Sequence, residues 1–320
     1  MHFELERYDF PYQIEVIMAE RNKRRTENTS GNWFVDENCI DCDTCRWLAP
    51  GIFARIDSAS AVSAQPASPE DEEAALSALY ACPTHAIGWE SKTGLLKPEL
   101  PAKVRTSFPR LLLTTSQGSE IYYCGYHSEK SFGAASYLIK TTETSILVDC
   151  PRFVPVLVRN IHDLGGIDLH YFTHRDDVAD EALFHREFVT DRVIHKEEAG
   201  AISHAEHLLP AEMNVFPANI RVFHVPGHTR GHTVLQLDNE VLFSGDHLAW
   251  SDRLQHLIAF KDACWYSWQA QIDSMKLLFT EAAFKTVLPG HGRAFYGKDL
   301  LHTRRELKRC IEWMQTFSLR

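Results

Sequence analysis

Residues 223–233 read FHVPGHTRGHT, an apolar, strand-like run that ends in a glycine-flanked turn presenting His228. The same arrangement returns in LFSGD, which ends at Asp246, and in VLPGHG, which surrounds His291. Glycine lets the backbone turn sharply where a bulkier residue would be strained. Because imidazole and carboxylate groups bind metals, the three turns predict a metal site gathered at the ends of several strands.

The chain around these turns alternates between strand-like and helix-like runs. Apolar, β-rich runs dominate after residue 109, and amphipathic stretches separate some of them. A series of strands with occasional helices indicates two packed sheets with helices outside them. The predicted strands are 111–113, 121–123, 135–139, 146–148, 169–172, 193–194, 220–224, 234–237, 241–243 and 286–288, and the predicted helices are 154–164, 181–187, 265–279 and 300–317.

Together with the strand pair at 135–139 and 146–149, the turns resemble the metallo-β-lactamase fold superfamily over residues 110–295. The resemblance implies an αββα metallo-β-lactamase sandwich, which we place at residues 109–320. Most members of this fold are hydrolases, so the resemblance also implies a metal-dependent hydrolase. Fold does not fix function, and that last step is an analogy.

The resemblance also implies roles for the residues of the turns. His228 would bind the first metal, Asp246 would bridge two metals, and His291 would bind the second. His232 follows in the same turn as His228 and is expected to play a supporting part. Asp149 is expected to be structural, accepting hydrogen bonds from backbone amides near the site.

Residues 173–181, THRDDVADE, depart from the superfamily's H-x-H-x-D-H pattern. His174 keeps the first position, and Asp176 replaces the second His. Without a gap, the last two positions fall on Val and Ala, which cannot bind a metal. If the loop is two residues longer, they fall on Asp180 and Glu181. The sequence leaves both registers open.

Three states of the second site follow. The first is a carboxylate-rich di-iron centre, since the superfamily's flavodiiron branch also carries a carboxylate at the second position. The second is a mononuclear centre with His291 outside the ligand set, and the third is a domain that has lost its metal. The expected cofactor of this site is one or two zinc or iron ions. Asp180 or Asp177 is expected to orient the attacking water or accept its proton. The ligand candidates are His174, Asp176, Asp180, His228, Asp246 and His291.

A second motif lies near the N-terminus, where residues 39–45 read CIDCDTC. The C-x2-C-x2-C spacing resembles bacterial-type ferredoxins over residues 31–90, with Cys82-Pro83 as the distant fourth ligand. The place of the cysteine that would bind a second cluster is Ala49. The resemblance therefore implies a single [4Fe-4S] cluster held by Cys39, Cys42, Cys45 and Cys82. A zinc site is the alternative, but zinc ribbons usually pair two separate C-x2-C knuckles.

Composition and the positions of turn-forming and helix-capping residues give the remaining expectations. The chain has 320 residues, of which 44% are hydrophobic and 24% charged, so an ordinary globular protein of about two domains is expected. We predict an N-terminal extension at 1–30, an α+β ferredoxin-like domain at 31–91, a Pro-containing linker at 92–108 and the sandwich thereafter. Within the ferredoxin-like domain, residues 58–68 are predicted as a loop and Ser68 as the N-cap of a helix reaching Ala81.

The net charge of −10 argues against nucleic acid as a partner. The absence of a long apolar run and of a signal-like start leads us to expect no membrane partner and a cytoplasmic location. The oligomeric state stays open. The expected partners are a small-molecule substrate and an electron donor such as a reductase or a soluble ferredoxin.

The function therefore has three readings. A metal-dependent hydrolase with a fused [4Fe-4S] domain leads. A redox enzyme, in which the cluster passes electrons to a non-haem iron or di-iron site, would explain the fusion better, although no flavin motif is visible. An iron-sulfur sensing or binding protein is the third.

Overall fold

A computed structural model describes residues 19–90, 99–211 and 215–317. Most of the predicted N-terminal extension and the start of the predicted linker lie outside these residues. The described chain has a mixed α/β fold. It has three buried hydrophobic cores, and one of them belongs to the N-terminal part.

The N-terminal unit comprises residues 19–90 and 99–105. Its strands β1 and β4 pair antiparallel, and β2 and β3 form an antiparallel hairpin. The predicted N-cap is confirmed, since Ser68 and Asp71 form a capping box with Pro69 at the first helical position. The elements are β1 Trp33–Val35, α1 Thr44–Leu48, β2 Phe53–Ile56, β3 Ala59–Val62, α2 Pro69–Ala81, β4 Ile87–Trp89 and α3 Leu100–Arg105.

Two features of this unit differ from the sequence expectation. Residues 58–68 were expected to be a loop, but β3 lies within them and pairs with β2. The predicted linker contains α3, whose Val104 is buried in the core of the N-terminal unit. Apolar contact with α2 thus turns part of a Pro-containing segment into a packed helix.

A seven-stranded sheet follows, in the order β11-β10-β9-β8-β7-β6-β5. Strands β5 to β8 are antiparallel neighbours, and β8 to β11 run parallel to one another. Its strands and the two helices that lie between them in sequence are β5 Arg110–Thr114, β6 Glu120–Tyr123, β7 Tyr137–Lys140, β8 Ser145–Val148, α4 Pro155–Asp163, β9 Leu169–Tyr171, α5 Glu181–Phe188, β10 Asp191–His195 and β11 His207–Leu209.

A five-stranded sheet completes the chain, in the order β12-β13-β14-β17-β18, and a small hairpin, β15-β16, stands beside it. Strands β14 and β17 are parallel, and the other pairs are antiparallel. The elements are β12 Ile220–His224, β13 Thr233–Leu237, β14 Val241–Gly245, β15 Ala249–Ser251, β16 His256–Ile258, α6 Trp268–Glu281, β17 Thr286–Pro289, β18 Phe295–Tyr296 and α7 Leu300–Gln315.

Both sheets contribute to one core. Leu138 and Ile146 of the larger sheet lie in the same buried cluster as Leu235 and Phe243 of the smaller one. A separate cluster joins other residues of the smaller sheet, such as Val234, to α6 and α7. The smaller sheet is therefore covered on both faces, which explains why every residue of β13 and β14 is buried.

Among the helices of the described residues, none combines the length and the apolar character that a membrane crossing requires.

Candidate functional site

The N-terminal unit gathers four cysteines around one small cavity. Two lie in the loop after β1, one in the first turn of α1, and one caps the C-terminal end of α2. Asp41 and Asp43 both adopt left-handed backbone conformations, with φ of 59° and 71°, and so coil the loop tightly between the cysteines. The cysteines that line the cavity are the four predicted ligands, Cys39, Cys42, Cys45 and Cys82.

Burial dominates the chemistry of these thiols. It raises the pKa of Cys42 to about 11, and it also raises the pKa values of Cys45 and Cys82. Four converging thiols, three of them with a pKa raised by burial, are suited to a polynuclear cation, which stabilises all four thiolates together. The Ala86 N–H group donates to Cys82 Sγ over 3.3 Å, a bond that favours the charged sulfur. The donor set therefore fits an iron-sulfur cluster.

The C-terminal unit gathers a second group of side chains where strands of both sheets end. His174 follows β9 of the larger sheet, His228 follows β12, and Asp246 follows β14. One potential ligand atom from each of these three lies within 4.8 Å of the others. All three side chains are almost completely buried. The structure thus brings together three of the predicted ligands.

Asp176 adds a fourth ligand atom to this group. Its Oδ2 lies 3.3 Å from His228 Nε2 and 3.8 Å from His174 Nε2. Asp246 Oδ2 lies 3.7 Å from His228 Nε2 and 3.8 Å from His174 Nε2. Ligands placed tetrahedrally around a zinc ion are separated by about 3.3 to 3.6 Å, given the usual bond lengths. The four atoms are therefore spaced to surround one metal ion with little rearrangement.

Hydrogen bonds to Nδ1 of His174 and of His228 determine which ring nitrogen is available to bind a metal. Thr173 Oγ1 donates to Asp149 Oδ1 over 2.9 Å, so it accepts from His174 Nδ1 at 3.0 Å. His228 Nδ1 faces the Ala263 carbonyl, which can only accept. These networks assign the proton to Nδ1 of both rings and leave Nε2 as the metal-binding lone pair. His174 Nε2 is buried and has no hydrogen-bond partner among the described residues.

The two imidazoles differ in charge preference. Complete burial lowers the pKa of His174 to about 4, so this ring is neutral at physiological pH. His228 is also desolvated, but Asp176 and Asp246 favour its charged form and raise its pKa above the ordinary value. Its hydrogen bond holds the pKa of Asp176 below the usual range. A cation therefore has to displace a proton from His228.

A second space lies next to the first, between Asp246, Asp177 and His291. Both oxygens of Asp177 and Oδ1 of Asp246 are buried without a hydrogen-bond partner in the described parts of the chain. A Cβ atom on Gly290 would lie 2.9 Å from Asp246 Oδ1 and 3.1 Å from Asp177 Oδ2, so the two carboxylates face one small space. His291 Nε2 is 3.8 Å from Asp246 Oδ2. Burial, followed by the charge of Asp246, raises the pKa of Asp177 well above its ordinary value.

Asp180, predicted both as a ligand and as a catalytic group, lies elsewhere. Its carboxylate accepts hydrogen bonds from Lys130 Nζ at 2.6 Å and from the Phe153 N–H group at 2.9 Å. Glu181 forms an ion pair with Arg192 at 3.0 Å. The 3-10 turn Arg175–Asp177 follows His174 directly, so Asp176 and Asp177 reach the histidines first. The two-residue-longer register is not the one that the structure adopts.

Two further groups support the ligands. The ring of His232 stacks on His174 at 4.8 Å, and its Nε2 accepts a hydrogen bond from the Asp246 N–H group over 3.2 Å. Asp149 accepts from the Thr173 N–H group as well as from its hydroxyl, in line with its predicted structural part. Sequence reasoning did not identify the carbonyl of Ala263 as a support for His228, because nothing in the sequence indicates that this loop meets the 226–232 turn.

A comparison with known protein families bears on the cysteine site. The model of one protein family, described as the 4Fe-4S single cluster domain of Ferredoxin I, matches residues 35–89. Residues 35–89 are a 4Fe-4S ferredoxin domain. All four cysteines of the cavity lie within that match, so the family assignment agrees with the donor set.

Solved structures of metallo-beta-lactamases are similar to this chain. One from Pseudomonas aeruginosa, in its mono-zinc form, is 18% identical and covers 66% of this chain and 97% of its own, with a TM-score of 0.47. One from Erythrobacter litoralis is 15% identical and covers 62% of this chain and 95% of its own, with a TM-score of 0.47. One from Pontibacter korlensis is 19% identical, with coverages of 62% and 98% and a TM-score of 0.44. Among curated proteins, no sequence matches.

Exposed aromatic side chains stand beside two of the predicted metal ligands. The Phe132 ring is 55% exposed and lies 6.1 Å from the ring of His291. The Trp265 ring is 67% exposed and lies 6.1 Å from the ring of His228. The Trp265 N–H group donates to the His228 carbonyl over 2.9 Å, which ties this loop to the ligand turn. Exposed apolar groups on a fixed backbone beside a polar centre are typical of a binding surface.

Proposed function

We propose that the chain is a metal-dependent hydrolase whose catalytic unit is fused to a [4Fe-4S] ferredoxin domain. One metal ion would be held by His174, His228, Asp246 and Asp176. The observation that carries the proposal is the convergence of two imidazole Nε2 atoms and two carboxylate oxygens, at 3.3 to 3.8 Å from one another across each His–Asp pair. His174, His228 and Asp246 are buried, and burying them together without a cation would be costly.

The donor set suits zinc or iron, since both accept imidazole and carboxylate ligands. When bound, such an ion acts as a Lewis acid and lowers the pKa of a coordinated water toward about 7. The space between Asp177, Asp246 and His291 is the natural position for a second ion. The site would therefore hold one or two ions.

The protein's own residues would divide the remaining work. Asp177 has a buried, unpartnered carboxylate, and burial raises its pKa well above the ordinary value, which suits it to accept and return a proton. Phe132 and Trp265 would contact an apolar part of a small-molecule substrate. Thr173 and the Ala263 carbonyl would keep His174 and His228 in the tautomers that bind a metal.

Two other expectations are part of this proposal. The order of the strands, with one core between the sheets and α6 and α7 against the smaller sheet, supports an αββα metallo-β-lactamase sandwich. The eight cysteines all lie within the described residues and are all free, which supports a reducing, cytoplasmic location.

A redox enzyme is the second candidate, and one observation favours it: the ferredoxin domain contacts segments that adjoin the proposed metal site. Gly133 packs against Cys42, and Arg293, two residues after His291, forms an ion pair with Asp43. In that reading the cluster would serve a non-haem iron centre and would itself receive electrons from a reductase or a soluble ferredoxin.

The two candidates are separated by activity under defined metal loading. Protein purified anaerobically would be depleted of the second metal, reloaded with zinc or ferrous iron, and offered carboxylic esters, thioesters, lactams and phosphodiesters. The hydrolase proposal expects turnover with zinc that is lost in Asp246→Ala, while the visible absorbance of the cluster is unchanged. Turnover that is equal in Asp246→Ala and wild type would overturn it. Activity only with iron and a reductant would favour the redox candidate.

A further inference from the structure

The two cofactor sites meet through three short segments. We call residues 39–45 the cluster loop, residues 127–135 the wall loop, and residues 289–293 the metal loop. The cluster loop carries three of the cysteines, and the metal loop carries His291. The wall loop also carries Phe132, whose ring lies beside His291.

The wall loop is fitted against the cluster loop at Gly133. This glycine has a φ of +84°, and a Cβ atom at this position would lie 2.8 Å from Cys42 Cβ and 3.1 Å from Cys42 Sγ. No side chain fits in that space, so the backbone of the wall loop rests directly on a cluster ligand. Thr44 Oγ1 donates to the Gly133 carbonyl over 3.3 Å, which ties the two loops at the same point.

A buried histidine holds the base of the wall loop. His127 Nδ1 lies 2.6 Å from the Gly133 carbonyl and 3.1 Å from Thr44 Oγ1, while its Nε2 lies 2.6 Å from the Tyr123 hydroxyl. The ring is completely enclosed. Both ring nitrogens are hydrogen-bonded. A movement of Thr44 with the cluster loop would therefore disturb His127 and, through it, the wall loop.

The wall loop is bonded to the metal loop on its other side. The Ala135 N–H group donates to the Gly290 carbonyl over 2.7 Å, immediately before His291. Tyr137, which begins β7 just after the wall loop, donates from its hydroxyl to the Pro289 carbonyl over 2.8 Å. The wall loop therefore has hydrogen bonds to the cluster loop on one side and to the metal loop on the other. The Gly290 N–H group of the metal loop in turn donates to the Gly245 carbonyl, next to Asp246, over 2.9 Å.

A second, direct link bypasses the wall loop. The Arg293 guanidinium forms an ion pair with Asp43, which lies between Cys42 and Cys45, and its Nε also pairs with Asp252 at 2.8 Å. The Arg293 and Asp43 side chains are 21% and 31% exposed, so solvent screens this pair only in part. Asp43 is thus held from both sides, since it also accepts from Arg46.

We propose that these contacts couple the two sites thermodynamically, so that an intact cluster loop strengthens metal binding at His174, His228 and Asp246. The inference rests on the proposed function, because it needs a metal in the second site. Without the cluster, the four thiols lose the centre that holds the cluster loop in place, and the wall and metal loops lose their support. Metal binding would then have to order these segments as well, at a cost in conformational entropy.

Coupling of this kind is reciprocal. If the cluster raises the affinity for the metal by some factor, the metal raises the affinity for the cluster by the same factor. Coupling between two sites usually lies in the range of about 5-fold to 150-fold. Loss of the cluster would then weaken metal binding at the second site, although the cluster takes no part in the reaction there.

The experiment measures zinc affinity by competition with a chromophoric chelator under anaerobic conditions, on the full chain. The cluster-free form has all four cluster cysteines replaced by serine, so that no thiol there can bind zinc. The proposal expects zinc to bind at least about fivefold more weakly to this form than to the cluster-loaded protein. In the cluster-loaded protein, Arg293→Gln should weaken zinc binding, whereas in the cluster-free form it should have little further effect.

Matched controls separate coupling from general damage. Asp252→Asn removes the other partner of Arg293 and keeps the pair with Asp43, so zinc affinity should stay near the wild-type value. Gly133→Ala should weaken zinc binding, whereas Gly118→Ala should not. Gly118 has a similar φ of +89° but no atom within 4 Å of its added Cβ.

Two negative outcomes point to different errors. Equal zinc affinity with and without the cluster, or an equal effect of Arg293→Gln in both forms, would overturn the coupling alone. A cluster-loaded wild type that binds no zinc or iron in the second site would overturn the proposed function, and the coupling with it.

Discussion

The hydroxyl of Thr173 is the smallest group whose removal tests the geometry of the metal site. It donates to Asp149 Oδ1 at 2.9 Å and accepts from His174 Nδ1 at 3.0 Å, in a place with no solvent exposure. Thr173→Val keeps the volume and removes both hydrogen bonds. The Nδ1–H group of His174 is then buried without this partner, and no hydrogen bond from Thr173 holds the ring with Nε2 toward the metal.

Loss of a hydrogen bond behind a metal ligand typically weakens metal binding by about 10-fold to 100-fold, or about 1.4 to 2.7 kcal/mol. We expect Thr173→Val to fall in this range in the zinc competition assay. Thr173→Ser provides the control, since it keeps the hydroxyl and loses one buried methyl group. It should therefore cost about 1 kcal/mol of folding stability with little change in zinc affinity. If Thr173→Val binds zinc within twofold of wild type, the assignment of His174 as a ligand through Nε2 is refuted.

Three further predictions use other residues. Cys82→Ala should abolish the visible absorbance of the cluster. Cys124→Ala is the control and should keep this absorbance, because Cys124 is buried outside the cavity. Unchanged absorbance in Cys82→Ala would contradict the ligand set. Gly290→Ala should prevent metal binding, because its methyl group would lie 2.9 Å from a ligand carboxylate, and retention of the metal in metal analysis would count against that arrangement. Zinc affinity should be constant above the raised pKa of His228 and fall about tenfold per pH unit below it, since the metal competes with one proton. Asp176→Asn removes a group that raises this pKa, so the break in the affinity–pH curve should move to lower pH; a break that does not move would show that the two residues are not paired.

The parts of the fold that the sequence predicts well are those with a local signal. Strand β12 was expected at 220–224 and is found there, because an apolar run and the Pro-Gly after it mark both of its ends. Strand β3 was missed, since Ala59–Val62 is rich in alanine and serine, which have little strand preference of their own. It forms because Asp57, with a left-handed φ of 58°, turns the chain so that β2 can pair with it.

The residues of the site also differ in whether the local sequence predicts their positions. His228, Asp246 and His291 each follow a strand and lie in a glycine turn, so their positions could be expected from short stretches of sequence. The choice between Asp177 and Asp180 could not, because it depends on how tightly the chain turns after His174. A single 3-10 turn decides it.

Contacts between distant segments had no sequence signal at all. Gly133 is followed by two alanines in an unremarkable loop, yet its lack of a side chain is what lets the wall loop rest on Cys42. Similarly, Arg293 is one of many arginines until the fold places it beside Asp43. Packing between the two units therefore had to come from the structure.

Metal content per chain tests the central claim most directly. Protein purified anaerobically should contain about four irons from the cluster and at least one further zinc or iron ion. Asp246→Ala should keep the four irons and the cluster absorbance and lose the additional ion. A wild-type protein with four irons and nothing more, or an additional ion that survives Asp246→Ala, would contradict the account.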